Sequence, residues 1–262
     1  MRDLLDLDRF PLDHPGSDAW QALVTRCQAD LARDGMFNLD RLMRTDVAAA
    51  EAAHFAPRFA TESFLHQREH NIYFLKTVPG LADDHPALTR FQTSNNTICG
   101  DRIAGSAVLK LYQWQPFIDF LAATMGKPAL YQMDDDMSRL NVMSYGDGQA
   151  LNWHFDRSEF TTTLLLQAPE KGGDFEYRTD LRSDDDPNYD GVARMLRGED
   201  DQVQRMSVAP GTVNVFKGKN TAHRVTPVEG ERARIISVLS YYERPGMRFS
   251  DEERIGFFGR AR

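Results

Sequence analysis

NVMSYGDGQALNWHFDRSEF, residues 141–160, begins as an alternating run, turns at Gly146-Asp147-Gly148 and resumes into Trp153-His154-Phe155-Asp156-Arg157. At the end of a strand, residues i and i+2 project from one face. His154 and Asp156 are therefore expected to point at a single site. An imidazole and a carboxylate so placed can hold a metal ion if a third donor arrives from elsewhere in the chain.

Working outward, the sequence after Pro128 is a series of short apolar or alternating segments: 139–145, 160–167, 173–177, 204–208, 212–216 and 234–242. Turn-forming stretches separate them, among them GDGQ, PEKGG, PG and VEGE. Many short strands with regular turn signals predict a sandwich or barrel. An acidic insert, 183–201, interrupts the series. Its SDDDPNYDG reads as a loop, and 192–196 as a short helix.

The third donor is expected to be His223, in PGTVNVFKGKNTAHRVTPVEGERARIISVLSYY. In a jelly roll, strands this far apart in sequence become neighbours across the barrel mouth. Two His and one carboxylate with positions left open form the facial triad of non-haem Fe(II) oxygenases. Such a centre would take 2-oxoglutarate and O2 at its open positions, and the distal carboxylate of 2-oxoglutarate needs a cation. Arg234, at the start of the last apolar strand, is expected to supply it, because a guanidinium binds a carboxylate with two parallel hydrogen bonds. Arg232 has the same strand parity and is the rival. Ser237 or Tyr145 is the candidate for an added hydrogen bond.

The first half reads as helical. Ser17 precedes a run in which Trp20, Leu23, Val24, Cys27 and Leu31 fall at helical spacing, and Gly35 ends it. Further helices are expected over 38–55, 57–75 and 103–125, the last broken or restarted at Pro116, with a loop over 76–86. The expected architecture is mainly β with flanking helices: a double-stranded β-helix (jelly roll) with a helix-rich N-terminal half. One domain spans 1–262: mostly helical support over 1–127, a jelly-roll core over 128–245, and a tail, 246–262, over the active site.

Bulk properties narrow the partner. The chain has 262 residues, long enough for a substantial core, and a formal net charge of -8. An acidic chain has no general attraction for nucleic acid or anionic lipid, so a small-molecule substrate is expected. No apolar run approaches the ~20 residues of a membrane span, and the start of the chain lacks signal-peptide character, so a cytoplasmic location is expected. Cys27 and Cys99 match no zinc spacing and read as buried thiols. The oligomeric state is left open, with a homodimer among the alternatives.

These motifs resemble the Fe(II)/2-oxoglutarate-dependent dioxygenase superfamily. The likeness runs over about residues 105–250, carried by NVMSYGDGQALNWHFDRSEF, LLLQAPEKGGDFEY and HRVTPVEGERARIISVLSYYERPG. Within it the chain resembles the branch holding the free amino acid (lysine) halogenases and hydroxylases and the N-succinyl-leucine dioxygenase. The resemblance implies a jelly-roll fold with helices against the larger sheet, and iron held by His154, Asp156 and His223. It also implies an amino acid or N-acylated amino acid as substrate. The halogenases of that branch carry Gly or Ala where this chain has Asp156, so hydroxylation is the implied outcome. Val238 is apolar and Ser240 small, which favours an aliphatic or N-acylated substrate over lysine.

Other residues carry weaker expectations. Arg157 reads either as a substrate-carboxylate ligand or as a surface partner of Glu159. Trp153 reads as core. The loop at Gly80 and the tail Phe257-Phe258-Gly259 are candidates to close over the site, with Gly80 and Phe258 near substrate. Asn95, Asn96 and Thr97 read as helix caps, with substrate contact the alternative. His66 and His70, four apart, would share a helix face.

Overall fold

The computed structural model describes all 262 residues. Its first half contains α1 (Asp18–Asp34), β1 (Met36–Leu39), α2 (Thr45–Phe55), α3 (Phe59–Glu62), β2 (Phe64–His70), β3 (Phe91–Cys99), α4 (Ala107–Tyr112) and α5 (Gln115–Thr124). Next come β4 (Tyr131–Gln132), β5 (Leu140–Tyr145), β6 (Leu151–His154), β7 (Thr161–Gln167), β8 (Lys171–Gly172) and β9 (Phe175–Arg178). Last are α6 (Tyr189–Leu196), β10 (Gln204–Met206), β11 (Val213–Phe216), β12 (Ala222–Val225), β13 (Val228–Glu229), β14 (Arg234–Leu239), β15 (Tyr241–Tyr242) and α7 (Asp251–Phe258).

Two antiparallel sheets face each other. The larger runs β1-β11-β7-β14-β5-β3-β2 and the smaller β10-β9-β12-β6. This is the expected jelly roll. The outer face of the large sheet is apolar and carries the helices. Val142, Leu164, Val213 and Ile235 pack there against Cys27, Phe55, Leu111 and Phe120 in the main core. Phe120 anchors that layer, edge-on to both Trp20 and Phe37 at centroid distances of 6.4 and 6.2 Å. No helix is long and apolar enough to cross a membrane.

Local signals set α1 as expected. The Ser17 side chain accepts from the Trp20 N–H, and Gly35 closes the helix with φ 71. Pro116 likewise separates α4 from α5. Three expectations need correction. The helix expected over 38–55 begins only at Thr45, because Met36–Leu39 pairs with β11 along the sheet edge. The helix expected over 57–75 is mostly β2, which pairs residue by residue with β3. His66 and His70 therefore share a strand face, since a four-residue spacing satisfies both periods. Asn95, Asn96 and Thr97 cap no helix, because Phe91–Cys99 is a strand. The division at residue 128 is also not structural: β1, β2 and β3 belong to the seven-stranded sheet.

The inner faces of the two sheets enclose a cavity of about 790 Å³. Its lining explains why β3 is hard to read from hydropathy. Thr93, Asn95 and Thr97 are the buried positions of β3, and they face the cavity rather than an apolar core.

Candidate iron centre

β6 and β12 pair antiparallel with His154 and His223 directly opposite. Their ring centroids lie 4.1 Å apart. Asp156 follows β6 by two residues, and its N–H donates to the Gly218 carbonyl at 3.0 Å. That bond turns the carboxylate between the imidazoles: Oδ1 is 3.4 Å from His154 Nε2 and Oδ2 is 3.4 Å from His223 Nε2. One donor atom from each residue lies within 4.8 Å of the others, and both histidines are buried.

Backbone contacts set the histidine tautomers. His154 Nδ1 lies 2.8 Å from the Asn152 carbonyl and His223 Nδ1 lies 3.0 Å from the Thr221 carbonyl. A carbonyl only accepts, so each Nδ1 carries the proton and each Nε2 turns a lone pair to the centre. Burial, reinforced by the charge of His223, lowers the His154 pKa and favours the neutral ligand form. Burial also disfavours the charged Asp156 carboxylate, but the positive potential of His223 and hydrogen bonds from both imidazoles outweigh it and hold the group well below the usual range. The Thr161 hydroxyl donates to Asp156 Oδ2. Two neutral imidazoles and a carboxylate converging in a buried pocket fit a divalent transition metal.

Gly218 is fixed by this geometry. A Cβ there would strike Asp156 Oδ2 and approach Asp156 Cβ to 2.9 Å. Phe216 packs edge-on to the His223 ring at 4.8 Å, and Phe74 approaches His154 the same way at 6.1 Å. Phe74 has φ 57, a costly conformation for a bulky side chain. Asn71 holds the turn: its Oδ1 accepts from Tyr73 and Leu75, and its Nδ2 donates to the Leu75 carbonyl.

Arg234 is buried and faces the cavity beside Tyr145, its Cζ 5.9 Å from the ring centre. Its Nη1 is buried without an acceptor. Burial pulls its pKa down, opposed by Tyr145 and Asp174, but a guanidinium stays protonated throughout. Arg232 is exposed and donates to the Pro169 carbonyl at 3.2 Å. Parity does not separate the two; reach does, because Arg232 lies outside the paired strand. Ser237 alternates to the other face and donates to the Asn141 carbonyl, so it plays no part in the cavity.

Arg157 lines the cavity mouth, and its partner is Glu253 of α7 at 2.8 Å, not Glu159. Glu159 instead meets Lys127. Phe257 and Phe258 line the cavity, with Phe258 buried. Gly80 does not reach it: the loop is exposed, and nothing lies within 4 Å of where a Cβ would stand. Trp153 packs with Phe155 in a satellite core, as expected. Arg182, Phe74, His70 and Thr93 also line the cavity and went unread in the sequence. Only the polar alternation in Phe91–Cys99 could have signalled part of this.

No curated protein matches the chain significantly in sequence. Solved structures share its fold. An oxidoreductase of the 2OG-Fe(II) oxygenase family from Burkholderia pseudomallei has a TM-score of 0.51 at 15% identity, over 89% of this chain and 94% of that one. AviO1 from Streptomyces viridochromogenes Tue57 has 0.57 at 16% identity, over 86% and 97%. SnoN, described as a non-heme α-ketoglutarate-dependent epimerase from nogalamycin biosynthesis, has 0.55 at 12% identity, over 85% and 83%. The jelly roll and its buried His-Asp-His donor set define a non-haem iron enzyme that uses 2-oxoglutarate and O2. Within that class the chain belongs to the halogenase D family, whose sequence profile matches residues 89–250.

Proposed function

We propose that this enzyme hydroxylates an aliphatic free or N-acylated L-amino acid. His154, Asp156 and His223 would hold the iron. Bound there, Fe(II) supplies O2 activation coupled to decarboxylation of 2-oxoglutarate to succinate and CO2, chemistry that oxidises an unactivated C–H bond. The buried Arg234, with Nη1 lacking any acceptor, fits the distal carboxylate of 2-oxoglutarate. SnoN has been solved with Fe3+, α-ketoglutarate and nogalamycin RO bound, which supports a cavity of this fold taking iron, cosubstrate and a small molecule together.

The Asp156 carboxylate carries the choice of hydroxylation. In a family named for halogenation, this chain fills with a carboxylate the position that related halogenases leave to Gly or Ala, so chloride has no place among the protein donors. Ile236 and Val238 follow Arg234 along the cavity face of β14, which suits an aliphatic side chain. The chain's own residues orient the reactants: Phe74 and Phe216 brace the imidazoles, and α7 covers the mouth and limits water.

The test is O2-dependent succinate formation by Fe(II)-loaded protein with a panel of amino acids and N-succinyl amino acids, in chloride-containing buffer, with products identified by mass. Addition of one oxygen atom is expected. A chlorinated product, or no stimulation of succinate release by any panel member, would overturn the reading.

A further inference from the structure

We propose that the primary substrate is an anion and that Arg182 is the residue that binds its charge, with Arg68 as a second cation at the rim. This rests on the oxygenase reading above and sharpens it by naming the charge of the substrate.

The cavity is lined by one carboxylate, Asp156, and by five permanent cations, Arg68, Arg157, Arg182, Lys219 and Arg234. The chain as a whole has the opposite balance, 39 acidic residues against 31 basic, so composition does not explain the lining. Two of the cations are already neutralised, Arg157 by Glu253 and Lys219 by Asp184 at 2.7 Å. Arg234 is matched to 2-oxoglutarate. Arg182 and Arg68 meet no carboxylate at ion-pair distance.

Arg182 is held as a binding group would be. Its Nε donates to the Lys219 carbonyl at 2.8 Å, and its guanidinium lies 4.0 Å over the Phe155 ring. One edge and one face are thus fixed, while the two Nη groups keep their donors free of any protein acceptor. A guanidinium restrained in this way loses little entropy on gripping a carboxylate or phosphate. It also sits close to the reacting centre. Phe155 lies between His154 and Asp156 in sequence, and the Leu181 N–H binds the Asn220 carbonyl in the same loop whose Gly218 carbonyl holds Asp156. Arg68 stacks over Phe74 at 4.8 Å, and Phe74 is the ring that approaches His154.

A cationic amino acid entering here would meet two uncompensated positive groups and no free carboxylate. An N-acylated amino acid presents the right charge and also an amide N–H. Asn95, fully buried in the cavity wall, has an Oδ1 without a partner that can accept it. Between the two amino acid forms named above, the lining favours the acylated one.

The experiment is anaerobic titration calorimetry of the Fe(II)- and 2-oxoglutarate-loaded protein with N-succinyl-L-leucine, N-acetyl-L-leucine, L-leucine, L-leucine amide and a nucleoside 5′-monophosphate, followed by KM and kcat for each compound that binds. The anions are expected to bind at least ~10-fold tighter than L-leucine, and the cationic amide weakest of all. Arg182→Gln is expected to weaken the anions by about 10- to 100-fold, with the loss in KM, and Arg182→Lys to recover part of it. Arg194→Gln, on the outer surface of α6, is the control for a general change of charge, and melting curves report folding.

Equal or tighter binding of L-leucine or its amide overturns the proposal. So does unaltered anion affinity in Arg182→Gln, or no binding by any anion. Tight, Arg182-dependent binding of the nucleotide alone upholds the anionic substrate and overturns the amino acid reading. Slow, iron-dependent succinate release without primary substrate tests the oxygenase chemistry separately.

Discussion

His154 and His223 face each other in register across the β6–β12 pair, 4.1 Å between ring centroids, each with Nδ1 at a carbonyl two residues back in its own chain segment. Pairing of two strands and two local hydrogen bonds thus aim both Nε2 atoms before any metal arrives. His154→Ala removes one aimed donor and is expected to abolish stoichiometric iron binding and succinate formation. Metal analysis after gel filtration, with oxygen uptake, checks it. Retained turnover would remove His154 from the site.

Asp156→Gly should separate two functions of the carboxylate. Hydroxylation is expected to fall by at least ~100-fold, since even indirect partners of metal ligands are worth 10–100-fold. The vacated position then becomes available to chloride, and mass spectrometry of the products in chloride buffer reads whether any chlorination appears.

Gly218→Ala tests the packing behind Asp156. The added methyl has no room beside Oδ2, so the carboxylate must move. Iron affinity is expected to drop by about 10–100-fold while the far-ultraviolet circular dichroism spectrum is retained. Wild-type iron affinity would show that the loop yields instead.

Arg234→Met is expected to raise the KM for 2-oxoglutarate by about 10- to 100-fold, the size of a lost charge-assisted pair. Arg232→Met, changing an exposed group, is expected to leave it within about twofold. The reverse pattern would exchange their roles.

Acid should loosen α7. Asp135 is buried and accepts from Arg254 Nε at 2.9 Å and from the Phe249 N–H at 3.2 Å. Burial raises its pKa, but Arg254 and the backbone donors prevail and hold it below the ordinary 3.8. A depressed carboxyl stabilises the fold above about that ordinary value, and the contribution is lost as pH falls through the lower folded value. Asp135→Asn is expected to cost about 3 kcal/mol near neutrality and progressively less below pH ~3.8. Paired urea melts at pH 7 and in acid measure it. A pH-independent difference would exclude the charge as the cause.

Much of the site was legible because its signals are local. The i, i+2 spacing of His154 and Asp156, the turn residues between short strands, and the Ser17 and Gly35 caps depend only on neighbouring chain geometry. Reading failed where burial reversed the usual code. Phe91–Cys99 turns Thr93, Asn95 and Thr97 inward because its inner face is a cavity wall, and hydropathy scores such a strand as surface. Phe64–His70 was misread because a spacing of four fits helix and strand alike, and only pairing with β3 decides.

The sequence by itself determined the donor set, the jelly-roll class and the cation at the head of the last strand, since residue type and short-range period suffice for these. Tertiary structure alone decided that His223 lies opposite His154, that Arg234 rather than Arg232 reaches the cavity, that Gly80 stays outside, and that Arg157 joins α7. It also placed Arg182, a loop residue with no motif around it, beside the iron ligands. Contacts between segments far apart in the chain are set by packing of the whole fold, and no local pattern records them.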